Sequence, residues 1–356
     1  MGDMEEELID LYSDYQLCSS RQTTATGLSK LTGGLISHDK ITRLLSGEAM
    51  DNKTLWLKVK KLVRNHENED ACLIFDDTII EKRYMDENDI VCWHWDHKDN
   101  RNVKGINLLT AFYTVVNEET ALRIPIGYEI IAKTEKYFDE KEQKEKRRSP
   151  KTKNELMQEM INVQIRNRVK FRYILADSWF SSNENMKFIN KKKKVFIFEL
   201  KENRLVADSE EEKKEGRFER LDQKILGEEP TMVWLKELSI PVILYKQVFI
   251  NKDGSNGTRY LVTNDSEMTK DQFETLYKKR WGVEEYHKSL KQNASIGSSP
   301  AHTERTQSNH IFLAIYAYIK LEKIKLERKI NHFALKLLIY TESLKTAMAL
   351  IPNYVC

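Results

Sequence analysis

Apolar positions along the chain follow two periodicities. Up to about residue 66 they recur at helical spacing in four short runs, "MEEELIDLYSDY", "TATGLSKLTG", "SHDKITRLLSG" and "KTLWLKVKKLVRNH". Ser37 stands where an N-cap is wanted, and Gly33-Gly34 breaks the second run from the third. Two short helices across a glycine turn predict a helix-turn-helix, which would set its second helix in a DNA major groove; a plain helical bundle has the same pattern.

Past Glu69 the runs become shorter, more continuous and richer in β-branched and aromatic residues. "ACLIFDDTII", "GINLLTAFYTVVN" and "ALRIPIGYEIIA" predict a strand meander, the first strand ending at paired aspartates. A charged loop is expected around 139 to 153, then a helix over "KNELMQEMINVQIRNR" and a buried strand passing into a helix over "KFRYILADSWFSSNENMKFI". From 191 to about 264 four further β runs follow, with "NKDGSNGTR" as a hairpin turn between the last two. Helical spacing then returns in "TKDQFETLYKKRWGVEEYHKSLKQ" and in two tail segments.

Composition refines this picture only in part. The 356 residues are 40% hydrophobic and 32% charged, with six prolines, which predicts compact folding. Four scattered cysteines without a C-x-x-C pair suggest a reducing, cytoplasmic setting, and no apolar stretch is long enough to span a membrane. The net charge of +3 points to no polyanion, but "KEKRRSPKTK", "KKKK" and "YKKR" are blocks able to neutralise backbone phosphates. "CWHWDHKDN" offers Cys92, His94 and His97 without a fourth ligand at zinc spacing, so its polar surroundings, Lys104 included, are read as facing DNA instead.

The chemistry is carried by carboxylates. Asp76 and Asp77 close one apolar strand, Asp177 closes another, and Glu284 lies on a later helix. Carboxyl ends of strands in open β/α sheets are where ligands gather, and carboxylates brought together there repel unless hard cations neutralise them. Three such groups can hold two metal ions for in-line displacement at phosphorus. Read as one helix, "YKKRWGVEEYHKSLKQ" projects Tyr277, Arg280, Glu284 and Lys291 from one side.

Tyr277, Arg280, Glu284 and Lys291 fit Y-x2-R-x3-E-x6-K, and with "FDDTIIEK", "ILADSWFSS" and the Arg-Trp pair of "RWGVEE" the chain resembles bacterial insertion-sequence transposases of the Asp-Asp-Glu superfamily. The resemblance spans nearly the whole sequence. It implies an α/β fold: an RNase H-like mixed sheet flanked by helices, interrupted by a β-rich insertion and preceded by a helical DNA-binding domain. The corresponding boundaries are 1–66 for the DNA-binding domain, 67–190 and 267–356 for the two parts of the core, and 191–266 for the insertion. It further implies a cut-and-paste enzyme with Asp77, Asp177 and Glu284 as ligands of two Mg²⁺ ions, Mn²⁺ substituting; the alternatives are an RNase H-like nuclease without strand transfer and a catalytically inactive, transposase-derived DNA-binding protein. Asp77 is chosen for the threonine that follows it, with Asp76 as neighbour or alternative ligand. Tyr277, Arg280, Lys291 and Trp281 would bind phosphate and DNA, and Trp234 would stack on a flipped base. The implied partners are double-stranded DNA, as terminal inverted repeats and target, and a second copy of the chain.

Overall fold

The computed structural model describes residues 3–96, 99–116, 121–251 and 253–350; His97 of the histidine-rich segment lies outside them. Four helices come first: α1 (Asp3–Cys18), α2 (Ala25–Leu31), α3 (His38–Ser46) and α4 (Asn52–His66). Their starts follow local chemistry, with the Ser37 hydroxyl accepting the backbone N–H of Lys40 and Asp51 accepting that of Thr54. Gly33 and Gly34 take φ of +62° and +81°, a region open to glycine at little steric cost.

The sheet begins with β1 (Cys72–Glu81), β2 (Cys92–Asp96), β3 (Arg101–Val116) and β4 (Ala121–Ile130). β1, β3 and β4 form the expected antiparallel meander. The charged stretch beyond is an ordered hairpin, β5 (Glu135–Asp139) with β6 (Lys144–Arg148), where the sequence suggested a loop. Opposite charges across it, Arg148 with Glu135 at 2.9 Å and Lys136 with Glu145 at 2.9 Å, supply the pairing that apolar alternation does not.

After α5 (Lys153–Arg166) come β7 (Tyr173–Ala176), α6 (Asn183–Lys191) and β8 (Val195–Leu200). β7 lies parallel to β1, and β8 parallel to β7, so the central order is β4-β3-β1-β7-β8. All four residues of β7 and the first four of β1 are buried, as expected of strands covered on both faces. β8 thus pairs with β7 before the chain enters the strands that follow.

The stretch expected as an insertion holds, after β8, the elements β9 (Leu205–Ala207), α7 (Glu210–Lys214), β10 (Glu219–Arg220), β11 (Thr231–Leu235), β12 (Val242–Ile250) and β13 (Asn256–Thr263). Its last strand pairs antiparallel with β8, from Tyr260 opposite Leu200 to Thr263 opposite Ile197. These strands therefore continue the same sheet, which has eleven strands among the described residues. The chain closes with α8 (Lys270–Lys278), α9 (Trp281–Gln292), α10 (Glu304–Arg328) and α11 (His332–Leu350). α10 is buried along most of its length and packs against α1, α3, α4 and β4, joining the N-terminal helices to the sheet.

Candidate active site

The parallel pairing of β1 with β7 ends at Phe75 opposite Ala176. Asp76 follows on β1, and Asp177 is the first residue of the loop that leaves β7. Both aspartates of β1 and Asp177 are close enough to act on one another electrostatically. β1 does not end here as expected: β3 holds it as far as Glu81, and only its β7 neighbour departs, through a loop into α6. That departure opens a notch at the carboxyl ends of the parallel strands.

The helical wall differs from a single straight helix. α8 stops at Lys278 and α9 starts at Trp281, joined by a tightened turn in which Arg280 N–H donates to the Tyr277 carbonyl at 2.9 Å and Val283 N–H to the Arg280 carbonyl at 3.1 Å. α9 is anchored by Tyr286, fully buried and stacked on Phe112 of β3 with ring centroids 4.9 Å apart. This turn places the Arg280 guanidinium between the acids. Its Nη2 donates to Glu284 Oε1 at 2.8 Å, and its Nη1 lies 3.8 Å from Asp76 Oδ2.

Electrostatics separate these groups from ordinary surface acids. Burial pushes the Asp76 carboxyl up to about 7; Arg280 opposes this, while Asp177 and Asp77 add to it. Asp177 is raised as well, chiefly by burial, against a 3.0 Å hydrogen bond from the Trp179 backbone N–H. Arg280 is held firmly protonated by Tyr277, Asp76, Glu284 and Asp177 despite its burial. His287, one turn beyond Glu284, is pushed down to about 3 by burial and then by Lys291 and Arg280, so it faces Asp76 at 3.9 Å as a neutral ring.

Asp77 points to the opposite side of β1. Its Oδ2 accepts from Asn107 at 2.9 Å and from Lys153, the first residue of α5, at 2.8 Å. α5 and α9 therefore cover opposite faces of the sheet at this point. The aspartate in contact with Arg280 is Asp76, although the adjacent threonine had favoured Asp77. Tyr277 is buried, and its hydroxyl donates to Glu199 of β8 at 2.9 Å while its ring lies 5.7 Å from the Arg280 guanidinium, so it braces the arginine from behind. Lys291 is exposed two turns along α9 from Glu284, and Trp281 is exposed at the helix start. Trp234 is half-buried in β11 with Lys213 5.2 Å from its ring, in a strand of the insertion. For Glu199 the sequence offers one signal, a lone acid in the apolar run "VFIFEL", and for His287 it offers none.

Among the described residues, no three His, Cys, Asp or Glu side chains are gathered as a ready-made metal group. The donor chemistry nonetheless suits a hard divalent ion: two desolvated carboxylates share a notch, and a third lies one guanidinium away.

Residues 148–320, which include Asp177 and Glu284, match the transposase DDE domain. Residues 3–231, well over half of the chain and including both first-strand aspartates, match the DDE superfamily endonuclease model. No curated protein matches. The chain belongs to the DDE transposase/endonuclease superfamily, nuclease-type enzymes acting on DNA, built here on an RNase H-like mixed sheet.

Proposed function

We propose that the protein is a cut-and-paste DNA transposase in which Asp76, Asp177 and Glu284 form the metal-binding set, with Asp77 beside it as a positioning group. The observation that carries this reading is the convergence of Asp76 and Asp177 just past the last β1–β7 pair, with the Arg280–Glu284 pair against Asp76. Such like-charged, desolvated acids are unfavourable for folding and are expected where a cation and a phosphate are to be received.

Two Mg²⁺ ions bound by these carboxylates would activate the attacking oxygen and stabilise the leaving one. The rest falls to the chain's own side chains. Arg280, permanently charged and forked, can turn from Glu284 to a phosphate oxygen, and Tyr277 with Glu199 fixes the base of that arginine. Lys291 adds an exposed positive charge on the same helix as Glu284. Lys153 neutralises Asp77, limiting the further repulsion that an ionised neighbour would impose on Asp76. The N-terminal helices would recognise terminal inverted repeats, and a homodimer would bring two element ends together.

The test is cleavage and strand transfer, with Mg²⁺, on DNA carrying the inverted repeats that flank the gene. Asp76→Ala, Asp177→Ala and Glu284→Ala should each abolish both steps, and normal activity in any of them overturns the metal set. Loss in Asp77→Ala with retention in Asp76→Ala would move the first ligand to Asp77. Cleavage without joining would identify a nuclease rather than a transposase.

A further inference from the structure

Beyond the stacked Tyr286, the buried face of α9 includes polar residues: Ser289 and, just past the helix end, Asn293, each 2% exposed. They stand four residues apart, on one side of the chain's turn. The start of α11 offers two polar residues at the same spacing, His332 and Lys336, also buried. His332 Nδ1 lies 3.1 Å from the Ser289 hydroxyl, which accepts from the Asn293 amide at 3.0 Å. Lys336 Nζ donates to the Asn293 carbonyl at 3.3 Å and to that of Leu17 near the end of α1.

The histidine is held from behind as well. Its Nε2 stands 3.0 Å from Glu322 Oε2 of α10, off the line of a hydrogen bond, and its ring packs edge-on against Tyr318 with centroids 4.9 Å apart. Glu322 has no exposed surface and is fixed by Lys325 at 2.9 Å and by the Arg123 N–H at 2.9 Å. Buried polar contacts add little net stability, because each group gives up water for its partner, but these are satisfied in one arrangement of the helices only. α9 is twelve residues long, and Ser289 lies about 7.5 Å along it from Glu284 at ~1.5 Å rise per residue. A grip on Ser289 and Asn293 therefore sets the rotation and axial position of Glu284.

We propose that His332 and Lys336 of α11 are positioning residues for the active site: by holding Ser289 and Asn293 they fix where α9 presents Glu284. The proposal rests on the reading of Glu284 as a member of the metal-binding set. Both residues act through α9 rather than on the DNA or the metal.

Single-turnover cleavage in Mg²⁺ and duplex binding in Ca²⁺ would be measured well below each variant's melting temperature. His332→Leu leaves Ser289 with Asn293, and Glu322 with Lys325 and Arg123, so it should fold. Its cleavage should fall about 10- to 100-fold, the scale of a displacement of up to about 1 Å, with duplex affinity unchanged. Ser289→Ala, a smaller change that cuts the same link from the α9 side, should fall alike, and Lys336→Met should act in the same direction. His332→Asn, whose amide can reach where Nδ1 stands, should recover most of the rate. Amide hydrogen exchange over residues 281–292, which needs no DNA, should quicken in His332→Leu and Ser289→Ala and return toward the wild type in His332→Asn. The grip is overturned if any of the three disrupting variants cleaves at the wild-type rate per folded molecule, if duplex affinity falls as far as the rate, if His332→Asn does not rescue, or if exchange over α9 is unchanged. Should the wild type itself not cleave end-bearing DNA, the functional reading fails, and exchange over α9 alone decides the grip.

Discussion

Two buried polar regions of this protein have opposite characters. In the seam where α10 meets the N-terminal helices, His310 and Asn309 are neutral and hydrogen-bonded. His310 is fully buried, with Nε2 3.1 Å from the Ser295 carbonyl and Nδ1 3.1 Å from the Tyr12 hydroxyl. A carbonyl only accepts, so Nε2 carries the hydrogen and Nδ1 accepts from Tyr12. Asn309 beside it takes the N–H of Met50 at 3.0 Å and donates to the carbonyls of Leu45 and Glu48 at 3.0 and 2.9 Å. At the notch, by contrast, acids of like charge are desolvated together and share one arginine. Paired neutral groups support the packing around them, whereas desolvated acids of like charge disfavour the folded state unless a counter-charge joins them.

The largest expected effects sharpen that contrast. Asp177→Ala or Glu284→Ala should reduce single-turnover cleavage by at least about 10²- to 10³-fold, as for loss of one principal electrostatic group, without lowering the melting temperature. Asp77→Ala should fall less, by about 10- to 100-fold, in the range for groups supporting metal ligands. Asp76→Asn should abolish cleavage yet raise the melting temperature at pH 8, because its raised pKa means that the folded state disfavours the ionised carboxylate. A lowered melting temperature for Asp76→Asn would show that Arg280 already compensates the acids, and the contrast would fail.

The seam should respond in the reverse sense. Asn309→Ala removes three hydrogen bonds from a fully buried position and leaves backbone groups unmatched, a loss of about 3 kcal/mol in urea unfolding, with cleavage per folded molecule little changed.

The pH dependence of the seam is of the same kind. Burial holds His310 down at about 3, against an ordinary value of about 6.5. The unfolded chain then binds more protons than the folded one between those values, so the stability due to neutral His310 is complete above about pH 6.5 and declines as pH falls toward 3. His287 acts with the same sign, so the informative measurement is the slope difference between wild type and His310→Gln over pH 7 to 5. Equal slopes would remove His310 from the seam's account.

The smallest effect is expected at Glu285. It pairs with Arg123 at 2.7 Å with half of its side chain exposed, so Glu285→Ala should change stability by no more than about 1 kcal/mol and leave cleavage intact. A large activity loss there would mean that α9 presents a different acid to the notch.

Much of the fold was legible because it is local. The N-cap at Ser37, the glycine break, the meander, the hairpin turn before Asn256 and the helical return after 267 all follow from residue type and period. The notch was legible in part: the spacing of Arg280 and Glu284 survives as a direct contact although the helix that carries them is broken. The neighbours of β8 were not legible, since a short apolar strand reads alike whatever strands flank it, and here it lies between β7 and β13. The same holds for Glu199 and His287, whose roles depend on what packs over them.

The sequence by itself determined which residue types are available, in what order and with what local period: two aspartates after "LIF", one after "YILA", and a glutamate four residues beyond an arginine. Only the tertiary structure gives Asp76 and Asp77 different surroundings. Adjacent residues on a strand face opposite sides, and a strand buried on both sides gives no polarity from which to tell them apart. The register with β7 and the placement of α9 and α5 on opposite faces turn one aspartate to an arginine and the other to a lysine.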